Sequence, residues 1–226
     1  MITFHLIAGI VASSIHVFSG PDHIAAVTPI VVETEKKAWK IGLSWGFGHV
    51  AGMFIIGALF LFFNDLIPIE EISSYSEQFV GIVLIFIGLW SFYLIRKDNR
   101  KHVHIHAEEQ PYVHSHKVDK AEKHSHPKTI HQNIFSSFGI GIIHGLAGVA
   151  HFVLLIPIVS FETLDGVNYV IGFAIGTLFA MTLYTLILGS ITTYTKQKNK
   201  HKLYRGIRIT SGIFAIIVGI YWLFLN

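Results

Sequence analysis

His16-Val17-Phe18-Ser19-Gly20-Pro21-Asp22-His23 lies inside an apolar run of about thirty residues, from Ile2 to Val32. Two imidazoles and a carboxylate are out of place in such a run if it crosses a membrane. On insertion scales an acid at a helix centre costs roughly 2.5–3.5 kcal/mol, and ionisable residues inside spans mark functional sites. The run is also too long for one straight crossing, which takes about 20 residues. Gly20-Pro21 is the expected break, because a proline ring cannot continue a helix and glycine turns the chain at little steric cost. An interrupted apolar helix that carries His, Asp and His predicts a cation site on broken backbone within a membrane bundle.

Composition agrees. The chain has 226 residues, of which 52% are hydrophobic and 14% charged, against about 25% charged in soluble domains. Mean hydropathy is +0.55. The expected class is therefore an all-α polytopic membrane protein. There is no cysteine, so disulfides and thiolate metal sites are excluded. The pI near 9.0 does not point to nucleic acid, because the basic residues sit in short loops where orientation explains them.

Six apolar segments are long enough to span: Ile2–Val32, Trp39–Phe63, Phe79–Ile95, Ile134–Val159, Val167–Ile191 and Ile207–Leu225. A cleaved leader is not expected, since the first segment lacks a basic start and a small-residue cleavage site. The 17 Lys and Arg cluster beside alternate loops. Lys36, Lys37 and Lys40 follow the first span, eight lie from Arg96 to Lys128, and six from Lys196 to Arg208. The loops 64–78 and 160–168 have none, and the first of these carries Asp65, Glu70, Glu71 and Glu77. The excess of positive charge on the cytoplasmic side then predicts the first, third and fifth loops inside and both termini outside.

The chain repeats itself. At an offset of 128, His16-x3-Gly20-x2-His23-x5-Pro29 falls on His144-x3-Gly148-x2-His151-x5-Pro157, Gly48 on Gly176 and Met53 on Met181. With three more residues of offset, Gly81 and Gly88 fall on Gly212 and Gly219. The expected domains are a first three-helix repeat over 1–96, a His-rich loop over 97–133 and a second three-helix repeat over 134–226. An odd number of spans per repeat turns the second copy upside down, which is a transporter architecture.

Two readings fit His16, Asp22 and His23. In one, Asp22 caps the half-helix that starts after Pro21 and the histidines bond freed carbonyls. In the other, all three ligate a metal. On an unbroken helix His16 and His23 would be about 10.5 Å apart along the axis, so the break must fold them together. His49 sits mid-span in a glycine seam of the small-xxx-small kind, Gly48-x3-Gly52, and an imidazole there needs a partner inside the bundle. The expected metal ligands are His16, Asp22, His23 and His49. His144 and His151 have no acid beside them, because Ala150 occupies the position of Asp22. A secondary role along the ion path and a structural hydrogen bond fit them equally. His5 reads as interfacial. The loop holds His102, His104, His106, His114, His116, His124, His126 and His131. Its polar composition argues against a packed core, and His-rich tracts bind metals, so weak metal buffering is expected.

These motifs resemble a family. His16 five residues before Asp22-His23, the Gly48-His49 element and His144-Gly145-Leu146-Ala147-Gly148 are similar to the nickel/cobalt permease superfamily. Its short urease-accessory-type nickel permeases share the six helices and the wider His-to-Asp-His spacing. Gly20-Pro21-Asp22-His23-Ile24-Ala25-Ala26-Val27-Thr28-Pro29 is the specific part, and the likeness covers all but the third loop. It implies a secondary transporter moving Ni²⁺, or also Co²⁺, through His16, Asp22, His23 and His49, in the sense of uptake. It also implies a multi-pass protein of a bacterial-type cytoplasmic membrane, with a metallochaperone or urease-maturation protein as partner. The long His loop resembles related nickel/cobalt efflux proteins, so export stays open.

The residue chemistry leaves the metal open among Ni, Co, Cu(II) and Zn. No prosthetic group is expected, and the ion is cargo. No Gly-x4-Gly-Lys-Ser/Thr loop is present, so the chain carries no such ATP-binding motif. An enzyme is not expected: a di-metal oxidase would want closely spaced His boxes or several intramembrane carboxylates. A carrier of small organic substrates and a metal store or sensor are the remaining alternatives.

Overall fold

The computed structural model describes residues 2–34, 37–63, 69–98, 104–106, 112–114, 130–147, 163–198 and 200–224. Seven helices are found among them: α1 (Ile2–Ser19), α2 (Pro21–Glu33), α3 (Trp39–Phe63), α4 (Ile69–Asp98), α5 (Ile130–Ala147), α6 (Thr163–Gln197) and α7 (His201–Phe224). Four are long and apolar enough to cross a membrane, or five spans if α1 and α2 form one bent unit. The protein is a multi-pass membrane protein. The fourth expected span is described only as far as Ala147, and its remainder lies outside the described residues.

The helices are dressed for lipid. On α1, Phe4, Ile7, Val11, Ile15 and Phe18 are exposed, and their three- and four-residue spacing puts them on one face. The opposite face turns His5, Ser13 and Val17 inward. On α6, Thr177, Thr185, Thr192 and Thr195 are buried while Ile171, Ile175, Phe179 and Ile187 are exposed. The hydroxyls of Thr177 and Thr185 donate to the Phe173 and Met181 carbonyls within the helix.

The expected break lies where Gly20-Pro21 places it. Gly20 is extended, at φ −80° and ψ 104°, and Pro21 opens α2, where its missing N–H costs nothing. The two helices meet at 70°. α2 is about 20 Å long, too short to cross alone. Ten of its residues are buried, and it touches α3, α4, α5, α6 and α7. Its C-terminal end is held by three residues of two helices, α5 and α7. Tyr204 donates to the Val32 carbonyl at 3.1 Å, and Asn133 donates to Thr34 at 3.0 Å. Arg208 grips Glu33 with two hydrogen bonds, of 2.6 and 3.0 Å.

Glycines set how the long helices cross. A Cβ on Gly48 would overlap the Phe138 carbonyl, and one on Gly176 would sit against the Ile10 carbonyl. These are the same contact at an offset of 128, one between α3 and α5 and the other between α6 and α1. Their partners rise together in number: Trp45 and His49 meet Gly141, and Met53 meets Gly145; Leu6 meets Gly172, and Ile10 meets Gly176. Both pairs therefore run parallel. α4 and α7 run antiparallel, because Gly81 meets Gly219 and Gly88 meets Gly212. Close backbone approach of this kind is how helices associate in lipid.

Among the described residues the elements are helical with one short exception. A short antiparallel hairpin, β1 (His104–His106) and β2 (Tyr112–His114), lies in the His-rich loop, with His104 opposite His114 and His106 opposite Tyr112. Alternating His with Val and Ile suits an extended strand better than a helix. His102, His116, His124 and His126 lie outside the described residues.

Candidate metal-ion site in the bundle

Five side chains from four helices converge where α1 gives way to α2. His16 is in the last turn of α1, Asp22 and His23 open α2, His49 is mid-α3 and His144 is in the last turn of α5. His23 and His49 are completely buried, Asp22 and His144 nearly so, and His16 is half-buried. The bend brings His16 and His23 to a ring-centroid distance of 4.6 Å. His23 lies 5.2 Å from His49 and 4.8 Å from His144.

Asp22 organises the group. Its Oδ1 is 3.0 Å from His23 Nδ1 and its Oδ2 is 2.9 Å from His144 Nε2. A carboxylate only accepts, so each imidazole places its N–H on the nitrogen facing it. The lone pair of His23 then sits on Nε2 and that of His144 on Nδ1, ready for a cation. Asp22 also lies in the first turn of α2, where the helix dipole favours an anion. At the other end of the break, the His16 carbonyl accepts from the Gly20 N–H at 2.9 Å.

Gly20 has a second duty besides turning the chain. A Cβ there would overlap His23 Nδ1 and crowd Asp22 Oδ1. Trp45, fully buried, lies flat against His49 at 4.8 Å and 11°. It also meets His23 at 5.5 Å and His144 at 5.4 Å. Phe173, at the position equivalent to Trp45 under the 128-residue offset, faces His16 at 6.2 Å.

Two overlapping sets of groups have the spacing to hold a metal: His16, His23 and His49, and Asp22, His23 and His144, with ligand atoms within 4.8 Å of one another in each. The sequence-derived group of His16, Asp22, His23 and His49 is thus drawn together. His144 stands in the same cluster, which the sequence left between a structural hydrogen bond and a secondary path. Its partner is Asp22, 122 residues away in the chain, and no local pattern displays such a contact. His151 lies outside the described residues. His131 is in the first turn of α5, thirteen residues before His144. His5, read as interfacial, is buried and pairs with Asp165 of α6 at 3.2 Å, apart from these five. Trp45 and Phe173 gave no signal in the sequence beyond being aromatic.

Residues 6–223 match the family described as cytochrome c biogenesis protein transmembrane region. Urease accessory protein UreH of Bacillus sp. (strain TB-90) is 29% identical over 90% of this chain and 84% of its own length. Chloroplast protein FOR GROWTH AND FERTILITY 2 of Arabidopsis thaliana is 33% identical over 84% of this chain and 48% of its own. A "Putative nickel/cobalt efflux system" of Methanocaldococcus jannaschii is 24% identical over 82% and 75%. The chain spans about half the length of the plant relatives it matches. No solved structure matches it.

Proposed function

The chain belongs to the family of the cytochrome c biogenesis protein transmembrane region, and we propose that this member is a permease for a divalent transition-metal ion. The observation that carries the reading is the convergence of four imidazoles and one carboxylate inside an apolar bundle. Ligand type narrows the cargo. Imidazole with one carboxylate suits Ni²⁺, Co²⁺ and Zn²⁺, and the absence of thiolates disfavours Cu(I). The names of two relatives support Ni²⁺ or Co²⁺, one as a urease accessory protein and the other as a "Putative nickel/cobalt efflux system". Uptake is the direction proposed, and export is the alternative that the second relative favours.

The family's name raises a second reading, in redox or haem chemistry. c-type haem is attached through a Cys-x-x-Cys-His motif. This chain has no cysteine, so its own residues cannot take part in thiol chemistry.

The same proposal includes the architecture: six spans in two inverted three-helix units, 1–96 and 134–226, joined by the His-rich loop 97–133. It is supported by the equivalent contacts Gly48–Phe138 and Gly176–Ile10 and by the antiparallel pair α4 and α7. Both termini face outward and the His-rich loop faces the cytoplasm. A membrane-impermeant thiol reagent should label Ile72→Cys in intact cells and leave Gln110→Cys untouched. The opposite pattern overturns the orientation.

Radiotracer flux in cells with and without the gene tests the function, with import and export followed separately for Ni²⁺, Co²⁺ and Zn²⁺. Gene-dependent movement of one of them is expected. Equal flux in both cell types sinks the reading.

A further inference from the structure

We propose that the transported ion takes two overlapping positions in turn, held first by His16, His23 and His49 and then by Asp22, His23 and His144, with His23 common to both. The proposal rests on the metal-permease reading. It starts from the geometry: the two sets are each compact, with ligand atoms within 4.8 Å, and they share one residue. Three nitrogen or carboxylate-oxygen ligands around one ion at about 2.0–2.2 Å lie roughly 3.3 Å apart, so either set closes on an ion with small side-chain movements. Among the described residues no set of that spacing joins His16 or His49 to Asp22 or His144.

The sets differ in where they are anchored. The first draws on α1 and α3, and the second on α5, with α2 contributing to both. α1 runs beside α6 and α5 beside α3. Passing the ion from one set to the other passes it from the N-terminal helix to its counterpart in the second half of the chain. Charge changes with the step. Three neutral imidazoles leave a divalent ion fully charged, whereas the second set contributes the charge of Asp22.

The hydrogen bonds describe the starting state. With Asp22 accepting from His23 Nδ1 and His144 Nε2, His23 offers Nε2 to the first position. A carboxylate behind a metal-bound imidazole is the usual supporting arrangement. In the second position the ion sits where those two N–H bonds were. Each ring keeps one hydrogen, now on its other nitrogen, so both imidazoles stay neutral and the proton count does not change. His23 acts as the pivot, binding through one nitrogen and then through the other.

The test separates binding from turnover in the purified full chain, with its eight loop histidines (His102 to His131) replaced by Ser. Co²⁺ or Ni²⁺ binding is measured by titration, and flux in liposomes with the same ion. His16→Ala and His144→Ala should each still bind one ion, because one set survives, while flux falls by at least about tenfold, in the range seen when a metal's supporting shell is broken. His23→Asn, monodisperse and helical by circular dichroism, should lose both. Retained ion binding by the two Ala variants is also the check that they fold. The relay is overturned if His16→Ala and His144→Ala lose binding as fully as His23→Asn, since that describes a single five-ligand site. It is equally overturned if either keeps full flux. If the parent chain moves ions and the variants behave so, the permease reading stands without the relay. A parent that neither binds nor moves ions takes both down.

Discussion

α1 and α5 are built alike and end differently. Each is an 18-residue helix, and one maps onto the other at an offset of 128. Each crosses a long parallel helix at an equivalent glycine contact, Gly176 on Ile10 and Gly48 on Phe138. Each presents an imidazole near its end, and that imidazole faces an aromatic ring at an equivalent place: His16 faces Phe173, and His144 faces Trp45. The divergence lies in what surrounds them. After α1 the chain supplies Asp22 and His23, and the long helix beside α5 supplies His49. At the aligned positions the second half has Ala150, His151 and Thr177. The shared parts position helices, and a few unshared side chains make one half the owner of the acid. The two glycine crossings are equivalent while the acid is found on one side alone.

That contrast is broken most severely at Asp22. Asp22→Asn keeps the shape but removes the charge and one of the two acceptor oxygens serving His23 and His144. Flux of the transported ion should fall by about a hundredfold, the upper end for loss of a metal's supporting carboxylate. Tracer flux at matched expression measures it, and full activity of Asp22→Asn would remove the asymmetry from the account.

Gly20 comes next. Gly20→Ala puts a methyl against His23 Nδ1, so ion affinity should drop by about tenfold, as for other disturbances of the supporting shell, with the fold intact by circular dichroism. Gly48→Ala presses instead on the α5 backbone. Its expected mark is lower thermal stability, by about 1–3 kcal/mol for overpacking, read from melting in detergent. If Gly20→Ala lost only stability and Gly48→Ala lost only affinity, the division between scaffold and site would be misplaced.

The smallest effect belongs to the loop. Replacing its eight histidines by Ser should leave flux measurable and shift only apparent affinity or accumulation. Complete loss of flux at normal expression would put the loop in the pathway.

Much of this was legible in the sequence, for physical reasons. The span Trp39–Phe63 has the bounds of α3, because continuous apolar composition with charge at one end leaves a helix nowhere else to stop. The break at Gly20-Pro21 was legible because proline lacks an N–H. α4 and α6 extend well past the apolar segments that announced them, since polar ends are satisfied by headgroups and water and hydropathy does not see them. His144 was placed by a contact with Asp22 that depends on how α2 tilts into the bundle. That 70° bend is set by packing against α7 and by the Glu33–Arg208 pair, and no periodicity encodes it. Trp45 was invisible for a similar reason: an aromatic residue in an apolar helix says nothing until its neighbour is known to be an imidazole.

The most direct measurement of the central claim is X-ray absorption on Ni²⁺ or Co²⁺ bound to the full chain whose eight loop histidines are replaced by Ser. One ion per chain is expected, in a nitrogen and oxygen shell with the outer scattering of several imidazoles, and it should be lost in His23→Asn. A bound ion whose spectrum is unchanged by His23→Asn and Asp22→Asn would contradict it.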